Sequence, residues 1–156
     1  MSFRISGLPA AHFQYLFGLA DDELLTHRAR RVVADCSPGY PDRIELRDAR
    51  VGESLILVNF THQPANSPYH ASHAVFVIEG ASHAYRGVDV IPEVLQRRVL
   101  SLRAFDSDGM IVGADLVDGL QAEVAVRSLL DAPRTEYIHA HYAKHGCFAA
   151  RIERAD

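Results

Sequence analysis

The alternation of apolar and polar residues predicts a chain of short strands with a few short helices between them. Strand-like patterns occupy residues 3–8, 30–34, 43–46, 54–62, 74–79, 99–106, 110–117 and 137–154. Apolar residues recur at helical spacing over residues 9–17, 21–28, 92–98 and 118–130. Strands outnumber helices, and turn residues join several strands directly as hairpins. The predicted fold class is α+β, a single domain over residues 1–156 with a largely antiparallel sheet and a few packed helices.

The strongest strand pattern is followed by the longest predicted loop. Residues 55–58 read Leu-Ile-Leu-Val, which predicts a strand buried on both faces in the centre of a sheet. Residues 63–72 are polar and contain two prolines, which predicts an irregular loop. Long loops in compact domains often bind ligands. We therefore expect residues 62–73 to form a lid, with Tyr69 available to contact a ligand.

The C-terminal residues 137–154 carry the pattern that is most informative about function. A three-residue loop at 144–146, with Gly146 at its left-handed position, predicts a hairpin. The hairpin would pair residue 139 with 151, 141 with 149 and 143 with 147. One face would then carry His139, His141, Cys147 and Arg151, and the other only apolar and aromatic side chains. This segregation locates the candidate chemistry on the polar face.

The two histidines of this face are candidate metal ligands. His139 and His141 lie two residues apart, so they point the same way from a strand. Cys147 or a histidine within residues 62–73, such as His62, would supply a third ligand, and a set with an open position suits zinc or another divalent metal. The alternative interpretation is that these histidines form hydrogen bonds on a half-exposed sheet or contact a substrate directly.

Cys147 has two further interpretations. It could act as a nucleophile if an imidazole such as that of His141 promotes its ionisation. It is not at the start of a helix, however, and an isolated cysteine usually serves as a small apolar filler.

Three arginines on predicted strands could recognise an anion. Arg43, Arg103 and Arg151 could present guanidinium groups to a carboxylate or phosphate, with His62 as a further substrate contact. The alternative interpretation is ordinary salt bridging on the surface, because the chain has 20 acidic residues.

Composition and missing motifs exclude several other functions. A formal net charge of −4 argues against non-specific nucleic-acid binding. No apolar run approaches the roughly 20 residues that span a bilayer, and the first residues do not resemble a signal peptide. Only two cysteines are present, so we expect a cytoplasmic protein with reduced thiols. The sequence also lacks the glycine-rich nucleotide loop, the serine hydrolase elbow and the His-Glu-x-x-His motif.

Several short motifs resemble a known family. They are Phe-Arg-Ile-Ser-Gly-Leu at 3–8, Pro-Gly-Tyr-Pro at 38–41 followed by Arg43, Asp-Ala at 48–49 before Gly-Glu at 52–53, His-Gln-Pro at 62–64, Ser-Pro-Tyr at 67–69, Leu-Ser-Leu-Arg-Ala-Phe-Asp at 100–106, Tyr-Ile-His-Ala-His at 137–141 and Gly-Cys at 146–147. In this order they resemble the bacterial family called domain of unknown function 1203. The resemblance implies a compact bacterial domain and brings no known activity. Members often have cysteine at the positions of Asp42 and Ala150 and asparagine at that of Tyr142, so any function of those cysteines does not extend to this chain.

These observations lead to one functional hypothesis and one alternative. The hypothesis is a metal-assisted enzyme acting on a small anionic molecule, with a pocket on the face of the terminal hairpin. His139 and His141 would hold the metal, Arg151 would bind the anion and Cys147 would line the site. The alternative is a non-catalytic module that binds a small ligand or forms a homodimer through the same face. Neither hypothesis involves nucleic acid or a membrane.

Overall fold

The computed structural model describes residues 1–156 and contains two antiparallel sheets with three α-helices. The elements are β1 (Ser2–Ser6), α1 (Asp21–Thr26), β2 (Ala29–Val33), β3 (Ser54–Gln63), β4 (Ala71–Ile78), β5 (Arg86–Val88), α2 (Glu93–Gln96), β6 (Val99–Phe105), β7 (Ile111–Asp118), α3 (Ala122–Asp131), β8 (Tyr137–Tyr142) and β9 (Phe148–Ala155). The larger sheet has the strand order β5-β1-β9-β8-β6-β7, and the smaller has the order β2-β3-β4. The α+β class with antiparallel pairing is confirmed, although the strands form two sheets rather than one.

Each sheet has its own apolar core. In the larger sheet, alternate residues of β1, β6, β8 and β9 pack against α2 and α3. In α3 the residues that face this core are Ala122, Ala125, Val126 and Leu130, and their spacing of three to four keeps them on one side of the helix. The second core lies under the smaller sheet, where Leu55, Ile56 and other β3 residues pack against the N-terminal segment. The central position predicted for β3 is confirmed. None of the helices has the length and apolar character needed to cross a membrane.

The predictions for residues 9–17 and 63–72 differ from the structure. Residues 9–17 form two 3-10 turns, Ala10–His12 and Gln14–Leu16, instead of an α-helix. The buried residues there are Ala10, Phe13 and Leu16, and a spacing of three matches the 3-10 period. The loop predicted at 63–72 is shorter, because β3 continues to Gln63, which is 2% exposed and pairs with Ala71.

The strand predicted at residues 43–46 is also wrong, because this segment is an irregular loop. The side chain of Asp42 takes over the role of a neighbouring strand there. Its carboxylate, fully buried, accepts hydrogen bonds from the backbone N–H groups of Ile44, Glu45 and Ile78. Burial raises the pKa of Asp42, and the three backbone donors favour its charged form. The loop is thereby fixed against β4, which positions Arg43 beneath the surface.

Candidate functional site

Three histidines from two different sheets converge in the interior. His139 and His141 come from β8, near the middle of the larger sheet, and His62 comes from the end of β3 in the smaller sheet. One ring nitrogen of each lies within 4.8 Å of the others. We call these three residues the histidine cluster.

A β-bulge directs His62 toward the other two histidines. Thr61 pairs with Ser72 and Gln63 with Ala71, so His62 is the extra residue between two ladder positions. Bulges change the direction of a side chain and are frequent beside functional sites. The bulge thus explains how a residue at a strand end reaches across to the other sheet.

Aromatic rings enclose the histidine cluster. Phe148 stacks on His62 with ring centroids 5.4 Å apart and planes 10° apart, and it meets His139 and His141 edge-on. Phe105 packs against His139 at 5.1 Å. His139 and His141 are only 3% and 1% exposed. These two imidazoles therefore have little contact with water, whereas His62 is half-buried.

This environment keeps the imidazoles neutral. Burial lowers the pKa of His139 to about 3 and the pKa values of His62 and His141 to about 4. The nearby positive charge of Arg103 adds to the lowering at all three. A neutral imidazole is the form that binds a metal ion, so protons do not compete for these nitrogens near pH 7.

The hydrogen bonds of the three rings differ in a way that matters for ligation. Nδ1 of His141 lies 3.0 Å from the carbonyl oxygen of Gly146, so it carries the proton and leaves the lone pair of Nε2 free. Such an outer hydrogen bond orients many metal-binding histidines. The buried Nδ1 atoms of His62 and His139 have no hydrogen-bond partner. A buried polar atom without a partner costs roughly 1–3 kcal/mol, and a bound cation would remove that cost at any of these atoms it ligates.

The structure corrects the predicted position of Cys147. His139 pairs with Arg151 as predicted, but His141 pairs with Phe148 because Ala149 is an extra residue in β9. This bulge reverses the alternation of faces, so Phe148 lies with the histidines and Cys147 packs in the core of the larger sheet. Its sulfur instead accepts a hydrogen bond from the Arg43 guanidinium at 3.0 Å. The predicted grouping of Cys147 with His139 and His141 on one face is therefore wrong.

Two of the predicted arginines flank the histidine cluster. Arg103 on β6 and Arg151 on β9 pair with His139 from either side. Arg103 makes a side-chain hydrogen bond to Ser101 and has no acidic partner. Arg151 lies 4.0 Å over the Tyr137 ring and bonds to Glu153. The row of arginine, histidine and arginine across three strands places positive charge at both sides of the imidazoles.

The remaining predicted site residues lie elsewhere. Arg43 is buried beside Tyr142, which lies in the core of the larger sheet with Cys147. Tyr69 is 40% exposed, and its ring lies 6.3 Å from that of Phe105 at the edge of the cluster. His73 lies on β4 and contributes to lowering the pKa values of His62 and His141.

Comparison with known proteins identifies the family. The family model described as Protein of unknown function (DUF1203) matches residues 39–154. The chain belongs to this family. No curated protein and no solved structure gives a significant match. The part of the chain that matches DUF1203 contains all three residues of the histidine cluster and also Arg43.

Sequence reasoning missed several residues of the site in this DUF1203 protein. The alternation predicts Phe148 on the apolar face of the hairpin and gives Phe105 no role at the site, yet both enclose the imidazoles. The only available signal was that both belong to the hairpins that contain the candidate site. Away from the cluster, the guanidinium of Arg98 lies 5.2 Å over the Tyr142 ring, and the helical pattern of residues 92–98 gives no signal of this contact.

Proposed function

We propose that this protein binds a divalent transition metal through His62, His139 and His141, with zinc as the first candidate. The observation that carries the proposal is the convergence of three neutral imidazoles, two buried and one half-buried, with ring nitrogens within 4.8 Å of one another. The unpartnered Nδ1 atoms of His62 and His139 support it, because a cation gives a buried lone pair a partner.

The donor set favours zinc on chemical grounds. Three imidazoles without a carboxylate or thiolate suit zinc, copper, nickel or cobalt rather than magnesium or calcium. Tetrahedral zinc binds nitrogen at about 2.0–2.1 Å, which puts ligand nitrogens roughly 3.3 Å apart. The three rings therefore need only small movements to close on an ion, and a fourth position stays open for water or substrate.

The flanking arginines define the chemistry that the site would support. Zinc lowers the pKa of a bound water to about 7 and so provides a hydroxide nucleophile. Arg103 and Arg151 weaken the binding of a cation, but they stabilise an anion at its open position. Arg103 is suited to orienting a small anionic substrate, because no acidic side chain neutralises it. The proposed reaction is the metal-assisted hydrolysis of a small anionic molecule by a cytoplasmic enzyme.

A specific observation favours a second, non-catalytic function. His139 and His141 are almost fully buried, and the ligands come from both sheets, so a metal could serve to hold the two sheets together. A homodimer belongs to the same alternative, with exposed Leu116, Leu120 and Val124 as apolar residues available for an interface. Solution mass by light scattering at twice the chain mass would support a dimer.

The test is metal analysis of tag-free protein purified without chelator, by elemental mass spectrometry. The proposal expects about one metal ion per chain, and loss of that ion in both His62→Ala and His139→Ala. His83→Ala is the matched control, because His83 is exposed and bonds only to Ser82. Metal-free protein after incubation with zinc, cobalt and nickel would contradict the proposal. Equal metal in the two cluster variants and the wild type would also contradict it.

Once metal binding is established, assays of hydrolysis and of melting temperature on the metal-loaded protein distinguish the two functions. Metal-loaded protein that hydrolyses phosphate or carboxylate esters, with loss of activity in Arg103→Met, supports the enzyme. Metal-loaded protein without any such activity, but with a strongly raised melting temperature, supports the non-catalytic alternative.

A further inference from the structure

A cavity of about 770 Å³ lies between the smaller sheet, the loop that carries Arg43 and the end of the β8–β9 hairpin. It does not include the three histidines of the cluster. Small-molecule sites typically have volumes of roughly 300–1,000 Å³, so the cavity is large enough for a ligand. We call it the arginine cavity.

The arginine cavity contains a buried cation without a counter-ion. Arg43 is 1% exposed and forms no salt bridge. Its guanidinium donates only to neutral acceptors, namely the carbonyl oxygens of Pro41 and Phe148 and the sulfur of Cys147. Arginine is almost never fully buried unless it is paired, and a buried charge is costly unless an opposite charge accompanies it. An anion in the cavity would supply that charge.

The other polar groups of the cavity add to the positive charge. Arg97, Arg98 and Lys144 line it together with Arg43, and no acidic residue does. Asp48 bonds to both Arg97 and Arg98 from outside the lining. Glu93 also bonds to Arg97 from outside the lining. Four positive side chains and two negative ones leave a net charge of +2 around the cavity, in a protein whose overall charge is −4. The local excess therefore opposes the charge of the whole molecule.

Aromatic side chains form the rest of the wall. Tyr40 and Phe76 pack edge-to-face at 5.4 Å, and both line the cavity. The guanidinium groups of Arg43 and Arg98 lie 5.0 and 5.2 Å from the centre of the Tyr142 ring. The hydroxyl of Tyr142 is buried without a hydrogen-bond partner. A planar apolar group fits beside these rings, and the unpartnered hydroxyl could donate to a ligand oxygen after a small movement.

We propose that the arginine cavity binds an organic anion that carries about two negative charges and a planar apolar portion. The charged head, a phosphate or a pair of carboxylates, contacts Arg43, Arg98, Arg97 and Lys144. The planar portion packs against Tyr40, Phe76 and Tyr142. This site is independent of the proposed metal site, because the two share no residue.

The experiment is titration calorimetry on chelator-treated, metal-free protein with four probes. These are 1-naphthyl phosphate, 2,3-naphthalenedicarboxylate, inorganic phosphate as the head alone and 1-naphthol as the body alone. We expect at least one of the two aromatic dianions to bind at least tenfold more tightly than either partial probe. Preference for one dianion identifies the head group. Binding of neither dianion at millimolar concentration would overturn the proposal.

Variants locate the binding site. Arg97 and Lys144 are exposed, so the double variant Arg97→Ala/Lys144→Ala should fold and should weaken dianion binding at least tenfold. Arg43→Met should abolish binding, and circular dichroism will show whether it folds. The matched control is Arg30→Ala, because Arg30 is an exposed arginine beside a different cavity. Unchanged binding in the double variant, or an equal loss in the control, would overturn the proposal.

Discussion

The histidine cluster and the arginine cavity both lie along the β8–β9 hairpin, but their buried groups that lack partners differ in charge. At the cluster, buried nitrogen lone pairs are neutral and partly unpartnered, which favours a cation. At the cavity, a buried guanidinium has no carboxylate partner, which favours an anion. In both regions the fold buries polar groups without giving all of them a hydrogen-bond partner or a counter-ion. The comparison teaches that the missing partner, rather than the burial itself, indicates what each site would bind.

One inserted residue separates the two regions. Because Ala149 is the extra residue of a β-bulge, Phe148 packs with the imidazoles and Cys147 with Arg43. The backbone also links the regions, since the carbonyl oxygen of Phe148 accepts a hydrogen bond from Arg43 at 2.8 Å. Residues adjacent in sequence thus contribute to different chemistry.

The largest expected effect concerns the loop that positions Arg43. Asp42→Ala removes the acceptor of three backbone N–H groups and leaves them buried. We expect a loss of about 3–5 kcal/mol in the free energy of unfolding, measured by urea denaturation. Asp42→Asn keeps one acceptor oxygen and should cost less. A loss below about 1 kcal/mol in the alanine variant would show that the carboxylate does not support the cavity wall.

The second prediction concerns the histidine cluster. Zinc at 100 times its dissociation constant should raise the free energy of unfolding of metal-free protein by about 2.7 kcal/mol, because the ion binds only the folded chain. His139→Ala/His141→Ala should remove the increase, whereas Arg97→Ala/Lys144→Ala should keep it. Thermal unfolding of the wild type and the two double variants, each with and without zinc, measures these changes in stability. An increase of equal size in the histidine variant would assign the effect to zinc bound elsewhere.

The third prediction concerns Arg31, which has a carboxylate partner and so contrasts with Arg43. Arg31 bonds to Glu79 at 2.8 Å, and the carboxylate is 18% exposed. This hydrogen bond lowers the pKa of Glu79 to about 2, below the ordinary 4.5. Since the folded-state pKa is the lower one, the pair stabilises the protein above about pH 4.5, and that contribution is lost as the pH falls toward 2.

Glu79→Gln should therefore cost about 1–2 kcal/mol at pH 7, after allowance for partial solvent exposure. The difference between variant and wild type should vanish near pH 2. Urea denaturation across this pH range provides the measurement. A difference that is independent of pH would contradict the assigned cause and weaken the contrast with Arg43.

The smallest expected effect is at Tyr142. Its hydroxyl is buried and unpartnered, so Tyr142→Phe removes a desolvated polar group without breaking a hydrogen bond. Stability should stay the same or rise by up to about 1 kcal/mol, as measured by the melting temperature. A clear loss of stability would mean that the hydroxyl has a partner in the folded protein.

The sequence was sufficient for the elements whose pattern is local. The run at residues 55–58 predicted the central strand, and Gly146 predicted the hairpin turn, where its φ is 76°. The pairing of His139 with Arg151 followed from the alternation of faces. The bulge at Ala149 could not be predicted, since an alanine at the extra position has no pattern of its own. The prediction of a strand at residues 43–46 failed because the Asp42 side chain accepts the backbone hydrogen bonds there. One of its three donors, the N–H group of Ile78, is distant in sequence, so the local pattern could not reveal this arrangement.

The candidate site was only partly predictable for the same reason. His139 and His141 share a strand, so their spacing placed them together. His62 comes from the other sheet, and only the packing of the two sheets selects it over the other histidines of residues 62–73. The contacts of Arg43 and Arg98 with Tyr142 likewise join distant segments.

The most direct test of the central claim is X-ray absorption at the zinc edge on tag-free, zinc-loaded protein. The account predicts three imidazole nitrogens and one oxygen donor at about 2.0–2.1 Å, and loss of this spectrum in His62→Ala but not in His83→Ala. A sulfur shell at about 2.3 Å, or an unchanged spectrum in His62→Ala, would contradict it.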